Sequence, residues 1–294
     1  MEKVVLIDGN NLIFRSYYAT AYRGELLTNS KGLPTNAIYA YVQMLLKIIA
    51  EEKPTHIMVA FDKGKTFRHE SYDDYKGGRN ETPNDLKVQI PYAKQITRAM
   101  GITVEEIENY EADDIITALV DKMGNKVDKY ILTIDADILP LVDNDTKVLL
   151  FRQNNTEFDD INKYSLFTVE NFSTKIKMLK SFRAKGINLN NFLLVKMLIG
   201  DKSDNIPRVA KHTSTNIVDF LKWSNLDKNF RWNYFLSEDE VLEELKKIIL
   251  NKKEQQEALN NFKLMKMNST LGGKRKPFEI TKEMIIKTGD HTIG

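Results

Sequence analysis

Residues 103–137 read TVEEIENYEADDIITALVDKMGNKVDKYILTIDAD. TVEEI (103–107) is a short strand-like run, DDIITALVDKMG (113–124) carries helical periodicity and ends on Gly124, and KYILTI (129–134) is a continuous apolar strand. Strand, helix and strand in so short a span form a crossover unit, and unbroken apolar strands belong in a parallel sheet covered on both faces. Outward from this unit the alternation continues. Towards the N-terminus lie VVLI (4–7), IYAYVQMLLKIIAEE (38–52), HIMVAF (56–61) and DLKVQIPYAKQITRAMG (85–101); towards the C-terminus lies KVLLF (147–151). The expected fold class is α/β, with a mostly parallel sheet flanked by helices. In open sheets of this class functional residues gather beyond the carboxyl ends of the strands, and Asp8, Asp62 and Asp135 all fall there.

The strand signal fades after 151. From about 186, NLNNFLLVKMLIG, STNIVDFLKW, DEVLEELKKIILNKKEQQEALNNFKLM and TKEMIIK read as helices, and the stretch after Gly272 reads as an extended, solvated segment. A loose boundary near 165–185 gives two domains: 1–175, α/β, and 176–294, helical. The 294 residues carry 43 basic and 41 acidic side chains, a balance that says little about a nucleic-acid partner. The chain has no cysteine, which excludes disulfides, thiol catalysis and cysteine-held zinc, and its four histidines lack metal-ligand spacing. No apolar run approaches a membrane span and no signal peptide precedes VVLI, so a cytoplasmic location is expected.

Acidic residues cluster where apolar runs end: Asp8; Asp62; Glu111, Asp113 and Asp114; Asp135 and Asp137; Asp201 and Asp204. Each cluster alone reads as a helix cap or a turn. Together they suggest convergence. Two like charges about 4 Å apart repel by roughly 4 kcal/mol at an effective dielectric near 20, so convergence requires shared protons or hard cations. Donors that are all oxygen suit Mg²⁺ or Mn²⁺. The segment after Asp62 is basic and aromatic, with Lys63, Lys65, Phe67, Arg68, His69, Tyr72, Tyr75, Lys76 and Arg79. Cations neutralise phosphates and rings stack unpaired bases, so acids beside this segment suit metal-assisted phosphodiester hydrolysis.

VVLIDGNNLIFRSYYA, FDKGKTFRHESYDDYKGGRNETP, YEADDIITAL, LTIDADILPLV and MLIGDKSDNIP occur in this order between residue 1 and about 207. In these stretches the chain resembles the 5′-nucleases: the 5′→3′ exonuclease domain of bacterial DNA polymerase I and the flap endonucleases of phage and eukaryotes. The lack of a polymerase-like extension points to a stand-alone form. The resemblance implies that 1–175 is a catalytic domain with a PIN-like core and a helical arch at about 63–95, that 176–294 binds DNA, and that the site takes two Mg²⁺ ions, for which Mn²⁺ can substitute. Their ligands would be Asp62, Glu111, Asp113, Asp114, Asp135, Asp137, Asp201 and Asp204, with Asp8 also at the site and counted with the catalytic residues. It further implies that Lys76 and Arg79 act on the scissile phosphate. The nucleic-acid contacts are expected at Lys65, Arg68, Tyr72, Tyr75, Arg208 and Lys211.

After GDKSDNIP the family continues with a glycine-rich hairpin inside a helix-three-turn-helix. This chain has Arg208-Val209-Ala210-Lys211-His212-Thr213-Ser214-Thr215-Asn216, without the two hairpin glycines. The motif is therefore degenerate, the K⁺ site the family builds there is not expected to be intact, and Arg208 and Lys211 are left to reach the duplex. The implied function is structure-specific 5′-nuclease action, exonucleolytic and on flaps, in replication and repair. The expected partners are DNA with 5′ flaps, nicks or RNA primers, functional coupling to a DNA polymerase and ligase, and no membrane; a monomer is expected. The alternatives are a PIN-type ribonuclease, which the long helical second half opposes, and a non-catalytic junction-binding protein, which the full set of acids opposes.

Overall fold

The computed structural model describes residues 2–21, 27–151, 164–184, 186–210, 212, 216–223, 226–267 and 286–287. The chain opens with β1 (Lys3–Asp8), α1 (Gly9–Thr20), α2 (Asn36–Glu52) and β2 (His56–Phe61). It continues with α3 (Phe67–Ser71), α4 (Asn84–Lys87), α5 (Ile90–Ala99), β3 (Thr103–Glu106), α6 (Ala112–Met123) and β4 (Asp128–Thr133). A 3₁₀ turn over Ala136–Leu141 leads to β5 (Thr146–Phe151) and β6 (Tyr164–Phe167). The helices α7 (Phe172–Lys175), α8 (Phe192–Ile199), α9 (Asn216–Trp223), α10 (Glu238–Ile248) and α11 (Lys252–Met265) follow, and then β7 (Ile286–Lys287).

The strand order is β3-β2-β1-β4-β5-β6, parallel from β3 through β5, with β6 antiparallel to β5. From β1 the chain winds outward to β2 and β3, then returns and winds the other way through β4 and β5. The direction reverses between β1 and β4, and a crevice opens at such a switch point beyond the strand ends. Alternation in β1 assigns its two faces. Val5 and Ile7 pack with α1, α2 and α5, whereas Val4 and Leu6 pack with α6.

The apolar cluster on the α6 face runs on past residue 175. Phe172 meets Phe192 of α8 with ring centroids 5.6 Å apart, and residues of α8, α10 and α11 share one apolar cluster with the α6 face of the sheet. The helical half thus seals one face of the sheet. Between α8 and α9, Asp201 and Ile206 close a tight turn through reciprocal backbone bonds of 3.0 and 2.8 Å. Gly200 makes it possible: its φ is +69°, and a Cβ there would stand 2.5 Å from the Ile206 carbonyl oxygen.

Several expectations change in detail. The run 85–101 forms two helices because Pro91, near the start of α5, lacks the N–H that would continue α4. The freed interval holds Gln89, whose side chain accepts from the Ala37 and Ile38 amides and pins the start of α2. The stretch 239–265 likewise divides, with Asn251 capping α11. Of TKEMIIK, Ile286–Lys287 are extended and pair antiparallel with β2 rather than helical, while 281–285 and the stretch after Gly272 lie outside the described residues. In the expected arch, α3 and α4 are short helices joined by turns.

Candidate active site

Asp8 ends β1 and caps α1, accepting from the Asn11 amide at 2.9 Å. The Asn11 side chain bonds the other Asp8 oxygen and reaches Thr133 Oγ1 at 2.9 Å, tying β1 to β4 across the switch point. Gly9 has to be small, because a Cβ would lie 2.5 Å from the Phe61 ring. Asp62 follows β2 and accepts from the Ala112 amide at 2.8 Å, so it faces the positive start of α6. Glu111 precedes that helix, and Asp113 and Asp114 occupy its first turn. Asp135 caps the 3₁₀ turn after β4 through the Asp137 amide at 2.9 Å. Asp201 is fixed by Ser203, whose amide and hydroxyl donate at 2.8 and 2.6 Å.

These carboxylates feel one another. Burial and then the charges of Asp8, Asp135, Asp62 and Glu111 push Asp113 well above the usual carboxylate range. Burial followed by Asp62 and Asp135 does the same to Asp8, and burial followed by Glu111 raises Asp62. Asp137 is raised to about 7, by burial and then Asp135, against the pull of Lys196. Asp113 Oδ1 is buried and has no hydrogen-bond partner. A buried acceptor among like charges is costly unless a cation meets it.

Basic groups reach into the same space. Lys76 Nζ donates to Glu111 Oε1 at 2.7 Å, and Arg79 Nη2 to Asp204 Oδ1 at 2.5 Å. Lys196 pairs with Asp137 and stands 3.6 Å from Asp201. Burial opposes the Lys196 charge, but Asp137, Asp201 and Asp135 outweigh it and hold its pKa above the ordinary value. Burial favours the neutral form of Glu111, yet Arg68 and Lys76 prevail and lower its pKa. Segment 72–79, the gateway segment, is clasped to the 201–206 turn. The Tyr72 hydroxyl donates to the Asn205 carbonyl at 3.2 Å, the Lys76 amide to the Asp204 carbonyl at 3.2 Å, and the Asn205 side chain to the Asp74 carbonyl at 3.0 Å. Lys76 and Asn205 both take left-handed backbone, with φ of 56° and 58°, a conformation that asparagine adopts readily and lysine rarely.

The site therefore draws together Asp8, Asp62, Glu111, Asp113, Asp135, Asp137, Asp201 and Asp204 with Lys76 and Arg79. The donor set, all oxygen with one orphaned buried acceptor, suits a hard divalent cation. Among the described residues, however, no three histidine or acidic side chains stand in an arrangement that could hold a metal ion as they are. Lys76, Arg79 and Lys196 are paired with carboxylate oxygens there.

Three expectations are corrected. Asp114 is fully buried, with both oxygens taken by Arg68 and one also by the Glu111 amide, so it supports the site from beneath and is not an open ligand. Arg68 is buried in that same pair and does not face solvent as a nucleic-acid contact would. Tyr75 is also buried, its hydroxyl near Glu111 and Asp204, and has no free ring face for a base. Lys65 and Arg208 are exposed, and Tyr72 and Arg208 line one open groove of about 750 Å³ with Lys202. Lys211 and Thr213–Thr215 lie outside the described residues. Sequence reasoning passed over Lys196, although a single lysine inside the apolar helix FLLVKMLI was a signal. It also passed over Asn11 and Thr133, which nothing marked.

The model of a family described as the 5′-3′ exonuclease, N-terminal resolvase-like domain, matches residues 3–177. The chain belongs to this family. Relatives include the DNA polymerase I of Caldicellulosiruptor bescii, 40% identical over 209 residues, and that of Bacillus subtilis, 37% identical over 225. These alignments cover 70% and 75% of this chain and 23% of each polymerase, so the chain spans about a quarter of their length. Among solved structures, the T5 D15 protein co-crystallised with metal ions superimposes with a TM-score of 0.58 at 18% identity, covering 91% of this chain and 87% of that one. The bacteriophage T5 D15 flap endonuclease in a pseudo-enzyme-product complex with DNA and metal ions gives the same TM-score, identity and coverage. At this identity the likeness is one of fold, and with 91% of this chain covered it takes in the helical half. Among the described residues no helix is long and apolar enough to cross a membrane.

Proposed function

We propose that this member of the 5′–3′ exonuclease family is a structure-specific 5′-nuclease that uses divalent cations, with Mg²⁺ as the natural ion and Mn²⁺ as a substitute. One observation carries the proposal: carboxylates from the ends of β1, β2 and β4 and from the start of α6 crowd an orphaned Asp113 oxygen at the switch point, and Lys76 and Lys196 join the acids of the 201–206 turn to them. Asp8, Asp62, Glu111, Asp113, Asp135, Asp137, Asp201 and Asp204 would hold two cations. Cations bound there would supply Lewis acidity to the phosphodiester and would lower the pKa of a water that could attack it. The chain's own residues do the rest. The gateway segment brings Lys76 and Arg79 to the carboxylates, where their charges can pass from Glu111 and Asp204 to the oxygens of a scissile phosphate. Lys65, Tyr72, Lys202 and Arg208, exposed or lining the open groove, bind the adjoining strand.

The substrates we infer are DNA junctions with 5′ flaps, nicks or RNA primers, cut exonucleolytically and at the flap base. Kinship with DNA polymerase I supports a role in replication and repair; we further infer a monomer acting in the cytoplasm, in step with a polymerase and a ligase. The test is a labelled 5′ flap, a single strand and an RNA–DNA hybrid, each incubated with Mg²⁺ and with chelator. Cleavage at the junction that needs the cation supports the proposal. Binding without cleavage favours a junction-binding protein, and cleavage of RNA alone favours a ribonuclease.

A further inference from the structure

Arg68 looks like a surface cation in the sequence and is a buried hub in the fold. Its side chain is 2% exposed. Nη1 and Nη2 donate as a fork to Asp114 Oδ2 and Oδ1, at 2.8 and 2.7 Å. Nε and Nη2 donate to the carbonyls of Leu264 and Lys266 at 2.8 and 2.9 Å, where the C-terminal end of α11 presents its negative pole. Nη1 also stands 3.5 Å from Glu111 Oε2. One planar group thus touches the first turn of α6, a candidate cation ligand and a helix end 196 to 198 positions away.

The neighbours of Arg68 all belong to the site's support. Asp114 receives the fork and, through Oδ2, accepts from the Glu111 amide at 3.0 Å, so it fixes the backbone from which Glu111 and Asp113 project. Tyr75 lies 3.3 Å from Glu111 Oε2 and 3.2 Å from Asp204 Oδ2, linking the gateway segment to the same carboxylates. The guanidinium has four hydrogen bonds inside the protein and little exposed surface to offer a phosphate. A lysine could supply the charge but not a fork and two further donors at fixed angles.

We propose that Arg68 is a positioning residue for strand cleavage: it locks Glu111 and the first turn of α6 against residues 264–266, so the C-terminal end of α11 sets the geometry of the carboxylates. This rests on the nuclease reading above. The competing roles are a direct phosphate contact and a purely stabilising ion pair. Two variants separate them: Arg68→Lys, and Arg68→Met/Asp114→Asn, in which no unpaired buried charge remains.

The full chain is assayed on a labelled 5′ flap for single-turnover rate, for Kd across a salt series, and for thermal unfolding. In both variants the rate should fall about 10- to 100-fold, as it does when support behind a ligand is lost, with Kd and its salt slope unchanged. The double variant should unfold near the wild-type temperature and still cleave slowly. Wild-type rate in the folded double variant would leave Arg68 a stabilising role only. A weaker Kd with a salt slope reduced by about 0.9 would make it a phosphate contact. If the wild-type protein cleaves none of the substrates, the nuclease reading fails by itself. Mn²⁺ binding then judges Arg68: a midpoint raised severalfold in Arg68→Lys supports the positioning role, and an unchanged midpoint overturns it.

Discussion

Asp135 and Lys76 stand on opposite sides of the chemistry. Asp135 follows β4 and adds to the charge that raises Asp113, Asp8 and Asp137. Asp135→Asn should abolish cation-dependent cleavage while junction binding in chelator persists or tightens, because one charge repelling phosphate is gone; wild-type turnover in that variant would end the two-cation proposal. Lys76 is partly buried and already paired with a carboxylate, so in catalysis its charge is best used on a phosphate as negative charge develops. Lys76→Ala should lower turnover by roughly 10²-fold or more with little loss of affinity. Equal losses in both would make it an ordinary clamp. Lys65→Ala, at an exposed position, should instead weaken binding and reduce its salt slope by about one phosphate.

The turn between α8 and α9 carries Asp201 and Asp204, and its shape depends on Gly200. Gly200→Ala places a Cβ against two backbone carbonyls in a conformation nearly restricted to glycine. It should cost about 2–4 kcal/mol and lower Tm by roughly 5–10 °C, with lower activity because both acids shift. A silent Gly200→Ala would mean that the turn relaxes freely. Beyond it the hairpin lacks glycines, and Ala210 takes a φ of 48°, so the backbone does enter the left-handed region without one. The expected outcome remains weak specific K⁺ stimulation, measured as cleavage in KCl against NaCl at equal ionic strength. A K⁺ optimum that Na⁺ does not reproduce would show that the hairpin binds the ion despite its sequence.

Across the whole molecule the carboxylates set a pH dependence. Asp8, Asp62 and Asp113 are raised in the fold and Asp137 is raised to about 7, so the folded protein holds protons that the unfolded chain has released. Stability from these groups is complete below the ordinary carboxylate pKa and is lost as pH rises through the raised values. Glu111 and Asp201 are lowered and act in the opposite sense, gaining stability above the ordinary range. Above about pH 5 the lowered carboxylates are ionised in both states, so the raised ones govern and in chelator Tm should fall between about pH 5 and about pH 8, against the opposing pull of His69 and His212, whose pKa values burial lowers. Mg²⁺ should stabilise more at the higher pH, because it offsets the repulsion that deprotonation releases. A Tm in chelator that rises steadily over this range would contradict the crowding of charges.

Strand and helix periods made the α/β class, the parallel strands and the acids at strand ends legible in the sequence, because a buried strand has to be apolar and its following loop need not be. The ordered motifs identified the family for the same reason: chemistry at fixed positions constrains residue types locally. The burial of Arg68 and Tyr75 was not legible. A basic or aromatic residue in a polar loop looks alike in sequence whether it meets solvent or a partner 196 positions away, such as Leu264. The same holds for Lys196 and Asn11, whose roles depend on Asp137 and Thr133 arriving from other elements. The sequence by itself determined which residues carry charge at the ends of strands. The tertiary structure alone decided which carboxylates stay open to a cation and which are neutralised by internal pairing, since pairing depends on distances that only packing of the sheet, α6 and α11 creates.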